Sequence, residues 1–140
     1  MRLALLAALA VLALTGCADD APEDVQAGDC LTISGVGDTA GGVPVVPCDG
    51  IHEAEVYALF EVADDAAYDE AAIVAEVEER CVDDFASYVG EDYRTSSLDI
   101  FYTYPLADGW AEGDREAMCA VFAPDPDSGA PVRFEGTLAG

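Results

Sequence analysis

The chain contains one histidine, His52, which is flanked in sequence by several carboxylates. They belong to Asp29, Asp49, Glu53 and Glu55. Because imidazole titrates near neutral pH and binds metals, His52 with a carboxylate is a candidate general base or metal ligand. The alternative is a structural histidine that hydrogen-bonds a loop beside Cys30 and Cys48. One histidine without a second histidine or a free thiol is a poor zinc site, so the sequence favours the structural role and predicts no metal or cofactor.

A second candidate site is the motif Trp110-x-x-Gly113-Asp114-Arg115. Tryptophan and arginine are enriched in interface hot spots, so Trp110, Asp114 and Arg115 are candidates for a recognition surface. The alternative is a turn in which Asp114 or Arg115 fixes the backbone and Trp110 covers the edge of the core. No Gly-x-Ser-x-Gly elbow occurs and no nucleophile–base pair is suggested, so the sequence predicts no enzyme.

Four cysteines lie beyond Cys17: Cys30, Cys48, Cys81 and Cys119. An even number in an exported domain predicts two disulfides, with three pairings open. None of the four forms a Cys-x-x-Cys pair, which disfavours both zinc binding and thioredoxin-type chemistry.

One amphipathic helix over 69–90 positions Cys81. Ile73, Val77, Cys81 and Phe85 recur every four residues, and most of the acidic side chains fall outside this stripe. Asp69 is a suitable N-cap, and Gly90 stands where a left-handed residue ends a helix. The apolar stripe therefore needs a partner surface.

Short strands are the predicted partner of this helix. The candidates are 28–33, 43–47 at an edge, 55–62, 98–104, 115–123 and 132–138, with a Gly-rich loop over 34–42 and a loop over 107–114. In 55–62 the alternation places Val56, Ala58 and Phe60 on one face and Glu55 on the other. Cys119 falls with the apolar residues of 115–123, which favours Cys81–Cys119 and leaves Cys30–Cys48. The expected fold is α+β, one main amphipathic helix on a four- to five-stranded antiparallel sheet.

The first residues have the features of a targeting segment. Leu3–Leu14 is an apolar run that is short for a bilayer span but suits a signal peptide. It ends in Leu14-Thr15-Gly16-Cys17, which resembles the bacterial lipobox. The resemblance implies a signal peptide over 1–16, a lipidated Cys17 and an acidic tether over 17–27, and a domain over 28–140. The alternative is an ordinary secretory signal with an incidental cysteine.

The formal net charge of −24 at pH 7 excludes some classes of partner. Nucleic acid and anionic lipid surfaces would both be repelled. A cationic partner is compatible with this charge, as is an acidic surface that is merely solvated.

Several motifs, in order, resemble the actinobacterial septum-formation domain. They are Gly28-Asp29-Cys30, Val46-Pro47-Cys48, His52 with Glu55-Val56, Cys81, Trp110-x-x-Gly113-Asp114-Arg115, Cys119 and Gly136-Thr137-Leu138-x-Gly140. The resemblance covers nearly all of 28–140. It departs at Ile51, where the family usually has proline before the histidine.

The resemblance implies a role in cell division at the envelope and implies no reaction. With the lipobox, it predicts a non-catalytic lipoprotein, anchored on the extracytoplasmic face of the cell membrane, that binds an envelope protein. The alternative is a small envelope hydrolase that uses His52 with a nearby carboxylate. An open cleft at His52 would favour the hydrolase, and a closed hydrogen-bond network would favour the binding domain.

Lipidation is tested by replacing Cys17 with Ala and labelling cells with an alkyne fatty acid. We expect the variant to lose both the label and its membrane fractionation, because more than one acyl chain is required for stable anchoring. Unchanged labelling and fractionation would contradict lipidation at Cys17.

Overall fold

The computed structural model describes residues 25–36, 42–63 and 67–140. Cys17, the segment 1–16, most of the tether over 17–27 and part of the Gly-rich loop over 34–42 lie outside the described residues. Two α-helices, five strands and one short 3-10 helix, Tyr93–Thr95, make up the regular structure of the described ranges. The strands and α-helices are β1 Cys30–Leu31, β2 Val45–Val46, β3 Ala54–Glu61, α1 Glu70–Val89, β4 Asp99–Thr103, α2 Ala107–Glu112 and β5 Glu116–Phe122.

Helix α1 has the ends and the buried face that the sequence predicts. The Asp69 side chain accepts from the Ala72 backbone N–H at 3.2 Å, and Gly90 has φ 85° at the C-terminal end. Both positions satisfy backbone groups that a helix end leaves without partners. The buried residues are Ile73, Val77, Cys81, Phe85 and Val89. No helix in the described ranges is long and apolar enough to cross a membrane.

The five strands form one sheet in the order β2-β1-β3-β5-β4, with every neighbouring pair antiparallel. The predicted α+β fold is therefore confirmed. In β5, alternate residues enter two different cores. Ala117, Cys119 and Val121 face the helix, whereas Met118 and Ala120 pack with Leu31, Ile33, Ala54 and Val56 on the opposite side.

The Cys81–Cys119 disulfide joins α1 to the centre of the sheet, with Cα atoms 5.6 Å apart. Both cysteines are fully buried. The Cys30–Cys48 disulfide, with a Cα separation of 5.3 Å, joins β1 to the turn after β2. Both predicted pairings are confirmed.

A bulge in β3 overturns the simple alternation predicted for that strand. The register with β5 shifts between Val56, which pairs with Ala120, and Ala58, which pairs with Cys119. Such a bulge inserts one extra residue and reverses the faces beyond it. Val56 therefore packs away from the helix and Ala58 toward it. Glu55, expected on the polar face, is buried on the helix side.

Two other predicted elements differ in the structure. The predicted loop over 107–114 contains α2, which ends at Gly113 with φ 99°. The predicted last strand over 132–138 does not join the sheet, and its one bridge is between Phe134 and His52. Backbone amides near the C-terminus bond instead to Glu55 and to the end of α1.

The two disulfides should stabilise different parts of the fold and by different amounts. Replacing Cys81 and Cys119 by Ala removes a 38-residue closure, which the chain-entropy model values at about 4 kcal/mol of unfolding free energy. Replacing Cys30 and Cys48 removes an 18-residue closure, worth about 3 kcal/mol. Urea unfolding with hydrogen exchange should show faster exchange throughout α1 and β5 for the first pair. For the second pair, we expect faster hydrogen exchange mainly near 42–50. The same loss of unfolding free energy in both variants, with exchange accelerated only near the replaced cysteines, would contradict this difference.

Candidate functional site

Three polar or charged side chains that lie just before and within β3 are buried. His52 is 1% exposed, and Glu53 and Glu55 are each 2% exposed. Glu53 and Glu55 lie two residues apart, and their carboxylates bond to different parts of the chain. Buried charges are stable only when they are paired or hydrogen-bonded, so the partners of these side chains define the site.

Both ring nitrogens of His52 have partners. Nδ1 lies 3.0 Å from the Gly50 carbonyl oxygen, and Nε2 lies 3.3 Å from Oε1 of Glu55. A carbonyl only accepts, so Nδ1 must carry a proton and donate. Nε2 and the Glu55 carboxyl then share one further proton. The ring also packs on Phe134, with centroids 4.4 Å apart.

The second oxygen of Glu55 collects three donors. Oε2 accepts from the Tyr88 hydroxyl at 2.9 Å, the Thr137 hydroxyl at 3.1 Å and the Leu138 backbone N–H at 3.0 Å. Together with the bond from His52, these donors place Glu55 at the centre of a buried hydrogen-bond network, with one shared proton between Nε2 and Oε1. Burial, followed by the bond to Glu55, raises the pKa of Tyr88 to about 12, so that hydroxyl remains a donor.

Glu53 is held by a separate set of donors. Its Oε2 accepts from the backbone N–H groups of Ile33 at 2.8 Å and Ser34 at 2.7 Å, and its Oε1 accepts from Arg133 at 3.2 Å. Burial by itself raises the pKa of Glu53, but these hydrogen bonds, those from Ser34 first, outweigh it and lower the pKa below 4.5. Glu53 therefore links the end of β1 to the C-terminal segment as a carboxylate.

A shallow groove of about 240 Å³ lies beside these groups. It is lined by Thr32, Ile51, His52, Glu53 and Arg133. Ile51 is 61% exposed at its rim, whereas His52 is nearly fully covered. Both histidine nitrogens are hydrogen-bonded within the protein, Nδ1 to Gly50 and Nε2 to Glu55.

The Arg115 side chain stacks on Trp110, and Arg115 and Asp114 both bond to the adjoining backbone. The Arg115 guanidinium lies 3.5 Å from the centre of the Trp110 ring and donates to the carbonyl oxygens of Trp110 and Asp114. Asp114 accepts from the Glu116 backbone N–H at 3.0 Å. Trp110 also meets Tyr68 edge-on at 5.8 Å. These contacts match the structural alternative, a turn that leads α2 into β5.

Within the described ranges, the group with metal-ligand character is Cys30, His52 and Glu55, all buried. One ligand atom from each lies within 4.8 Å of the others. Cys30 is opposite Glu55 in the register of β1 and β3, which explains the proximity. In this structure the Cys30 sulfur is bonded to Cys48, so it is not available as a thiolate.

Sequence reasoning missed most partners of the buried carboxylates. Tyr88, Thr137, Leu138 and Arg133 are at least 33 positions away from the glutamates that they contact. The sequence nonetheless contained one signal, since Gly136-Thr137-Leu138 and His52 with Glu55 belong to the same set of family motifs.

A family model described as septum formation matches residues 20–140, which includes all of the buried carboxylate site. No curated protein and no solved structure matches the chain.

Replacing Glu55 with Ala should destabilise the fold strongly. His52, Tyr88, Thr137 and Leu138 would lose their common acceptor, and breaking a buried ion pair costs about 3–5 kcal/mol. Tyr88→Phe is the matched smaller change, since it removes one hydrogen bond to a charged group, worth about 1.5–3 kcal/mol. Urea unfolding of both variants measures the difference. A Glu55→Ala protein as stable as the wild type would refute the central role of this carboxylate.

Glu53 should contribute to acid sensitivity. Because its folded-state pKa is lowered, its stabilisation is present above about pH 4.5 and is lost as the pH falls through the lower folded value. Glu53→Gln should therefore unfold with a shallower dependence on pH below 4.5, besides a lower stability at neutral pH. Thermal unfolding between pH 2 and 7 measures both effects. If the Tm of the wild type and of Glu53→Gln changed in parallel with pH, the lowered pKa of Glu53 would be contradicted.

Proposed function

This chain belongs to the septum-formation family, and we propose that it acts as a non-catalytic domain that binds another protein at the cell envelope. The family match supports a role in cell division. In this proposal the domain is held on the extracytoplasmic face of the membrane by a lipid on Cys17. The acidic segment before the domain serves as the tether.

The observation that carries the proposal is that the side chains with catalytic potential are occupied within the fold. His52 has a partner at each nitrogen, and Glu55 joins α1 to the C-terminal segment. A general base needs a free nitrogen or oxygen within reach of a substrate proton. The closed network around His52 therefore favours the binding domain over the envelope hydrolase.

The charge supports a basic partner. The exposed side of α1 has acidic residues in successive turns, including Glu79, Asp83 and Asp84. Complementary charge steers association and contributes to specificity, and its effect weakens as salt increases. We therefore place the partner-binding surface on this acidic side of α1 and assign no nucleic-acid binding to the protein.

The proposal is tested by photo-crosslinking and pull-down of the full chain from membranes of the native host. Glu79→Gln with Asp83→Asn removes two charges from the acidic side of α1. Glu112→Gln with Asp127→Asn removes two charges from other exposed positions and is the matched control. We expect the first pair to reduce recovery of the partner several-fold, the second pair to leave it nearly unchanged, and added salt to weaken the wild type.

Genetic complementation separates binding from catalysis. A host depleted of the protein should show abnormal septa. A His52→Gln chain that folds, judged by circular dichroism, should restore them because Gln can still donate to Glu55. Failure of a folded His52→Gln chain, together with normal partner recovery, would favour the hydrolase. Normal septa after depletion would contradict the cell-division role.

A further inference from the structure

We propose that reduction of the Cys30–Cys48 disulfide turns the buried group of Cys30, His52 and Glu55 into a zinc site. In the oxidised structure the three ligand atoms already lie within 4.8 Å of one another. In a tetrahedral zinc site neighbouring ligand atoms lie about 3.3–3.6 Å apart. Closing this difference requires side-chain movements of about 1 Å and no change in the strand pairing of Cys30 with Glu55.

The orientation of His52 is that of a metal ligand. Its Nδ1–H donates to the Gly50 carbonyl at 3.0 Å, which directs Nε2 toward Glu55. Metal-binding histidines generally donate their other ring N–H to a carbonyl or carboxylate in this way, which fixes the tautomer and the ring orientation. In the oxidised chain a proton occupies the position between Nε2 and Oε1 that the metal would take.

Glu55 is oriented in the same manner. Tyr88, Thr137 and Leu138 all donate to Oε2, so that Oε1 is directed toward His52. A metal bound through Oε1 would leave these three hydrogen bonds in place. The site therefore has its outer hydrogen bonds before any metal arrives, and only the thiolate is absent.

The Cys30–Cys48 disulfide is the more accessible of the two to a reductant. Cys48 is an exposed residue, whereas Cys81 and Cys119 are each fully buried. Thiol–disulfide exchange requires direct attack on a sulfur atom, so access decides which bridge reacts first. Mild reduction should open the outer bridge while the bridge between α1 and β5 persists.

The chemical balance is complete with a dithiol as the reductant. The dithiol gives two electrons and two protons to the Cys30–Cys48 bond and becomes a disulfide itself. Zn²⁺ then displaces the thiol proton of Cys30 and the proton between His52 and Glu55. Thiolate, imidazole and carboxylate form a ligand set that suits zinc, and a water supplies the fourth ligand.

Two single substitutions test the site without a reductant. Cys48→Ser leaves Cys30 as a free thiol inside the group, and Cys30→Ser leaves Cys48 free outside it. Both lose the same bridge, so their general loss of stability is matched. We expect Cys48→Ser to bind one Co²⁺ or Zn²⁺ per chain, with a thiolate-to-cobalt charge-transfer band and a metal-dependent rise in Tm, and Cys30→Ser to show neither.

Further variants identify the ligands. Adding His52→Ala to Cys48→Ser should abolish the band. Adding Tyr88→Phe, which removes an outer hydrogen bond from Glu55, should weaken Co²⁺ binding about 10-fold. Oxidised wild-type protein should bind no Co²⁺ at this site, and mildly reduced wild-type protein should bind one.

Two results would overturn the proposal. One is a folded Cys48→Ser chain that binds no metal, and the other is equal binding by Cys30→Ser. If Cys48→Ser does not fold by circular dichroism, the mildly reduced wild type takes its place, and absence of stoichiometric Co²⁺ binding there has the same consequence. Metal binding does not depend on the proposed partner, so either proposal can fail without the other.

Discussion

A carboxylate buried beside a core must be surrounded by donors, and Glu55 takes its donors from three parts of the chain, two of them distant in sequence. His52 approaches from the preceding turn, Tyr88 from the end of α1, and Thr137 and Leu138 from the C-terminal segment. Each donor satisfies the charge only if its own segment is in place. The C-terminal segment, which forms no strand of the sheet, is thereby linked through hydrogen bonds to both α1 and β3.

The two disulfides and Glu55 hold different parts of one assembly. Cys81–Cys119 fixes the middle of α1 on β5, and Glu55 fixes the last turn of α1 through Tyr88. Cys30–Cys48 fixes β1, the strand that lies opposite Glu55. Each constraint acts on a different segment, so the loss of one leaves contacts that the others maintain.

Most of the architecture could be predicted from the sequence because its signals are local. The four-residue recurrence of Ile73, Val77, Cys81 and Phe85, with caps at Asp69 and Gly90, defined α1 and its buried face. The alternation in β5 placed Cys119 on the side of the helix, which was sufficient to select the disulfide pairing. The α2 helix was missed because six residues that include glycine and aspartate give no clear period.

The site could be predicted less well because a bulge changed the orientation of its central residue. Strict alternation places Glu55 opposite Ala58 and Phe60, whereas the register shift before Ala58 places it on their side. A bulge leaves no mark in hydropathy here, since Val56, Tyr57 and Ala58 all suit a strand. Partners such as Tyr88 and Leu138 are joined to Glu55 only by the folded topology.

The burial of His52 and Glu55 also limits what this site can do in the oxidised protein. A hydrogen-bonded pair with three further donors on the carboxylate would have to break several bonds to accept a substrate proton. Exchanging the shared proton for a metal ion would break only the His52–Glu55 bond, once Cys30 is released. The hydrogen bonds on which the proposed non-catalytic role rests would therefore also orient the ligands of the proposed metal site.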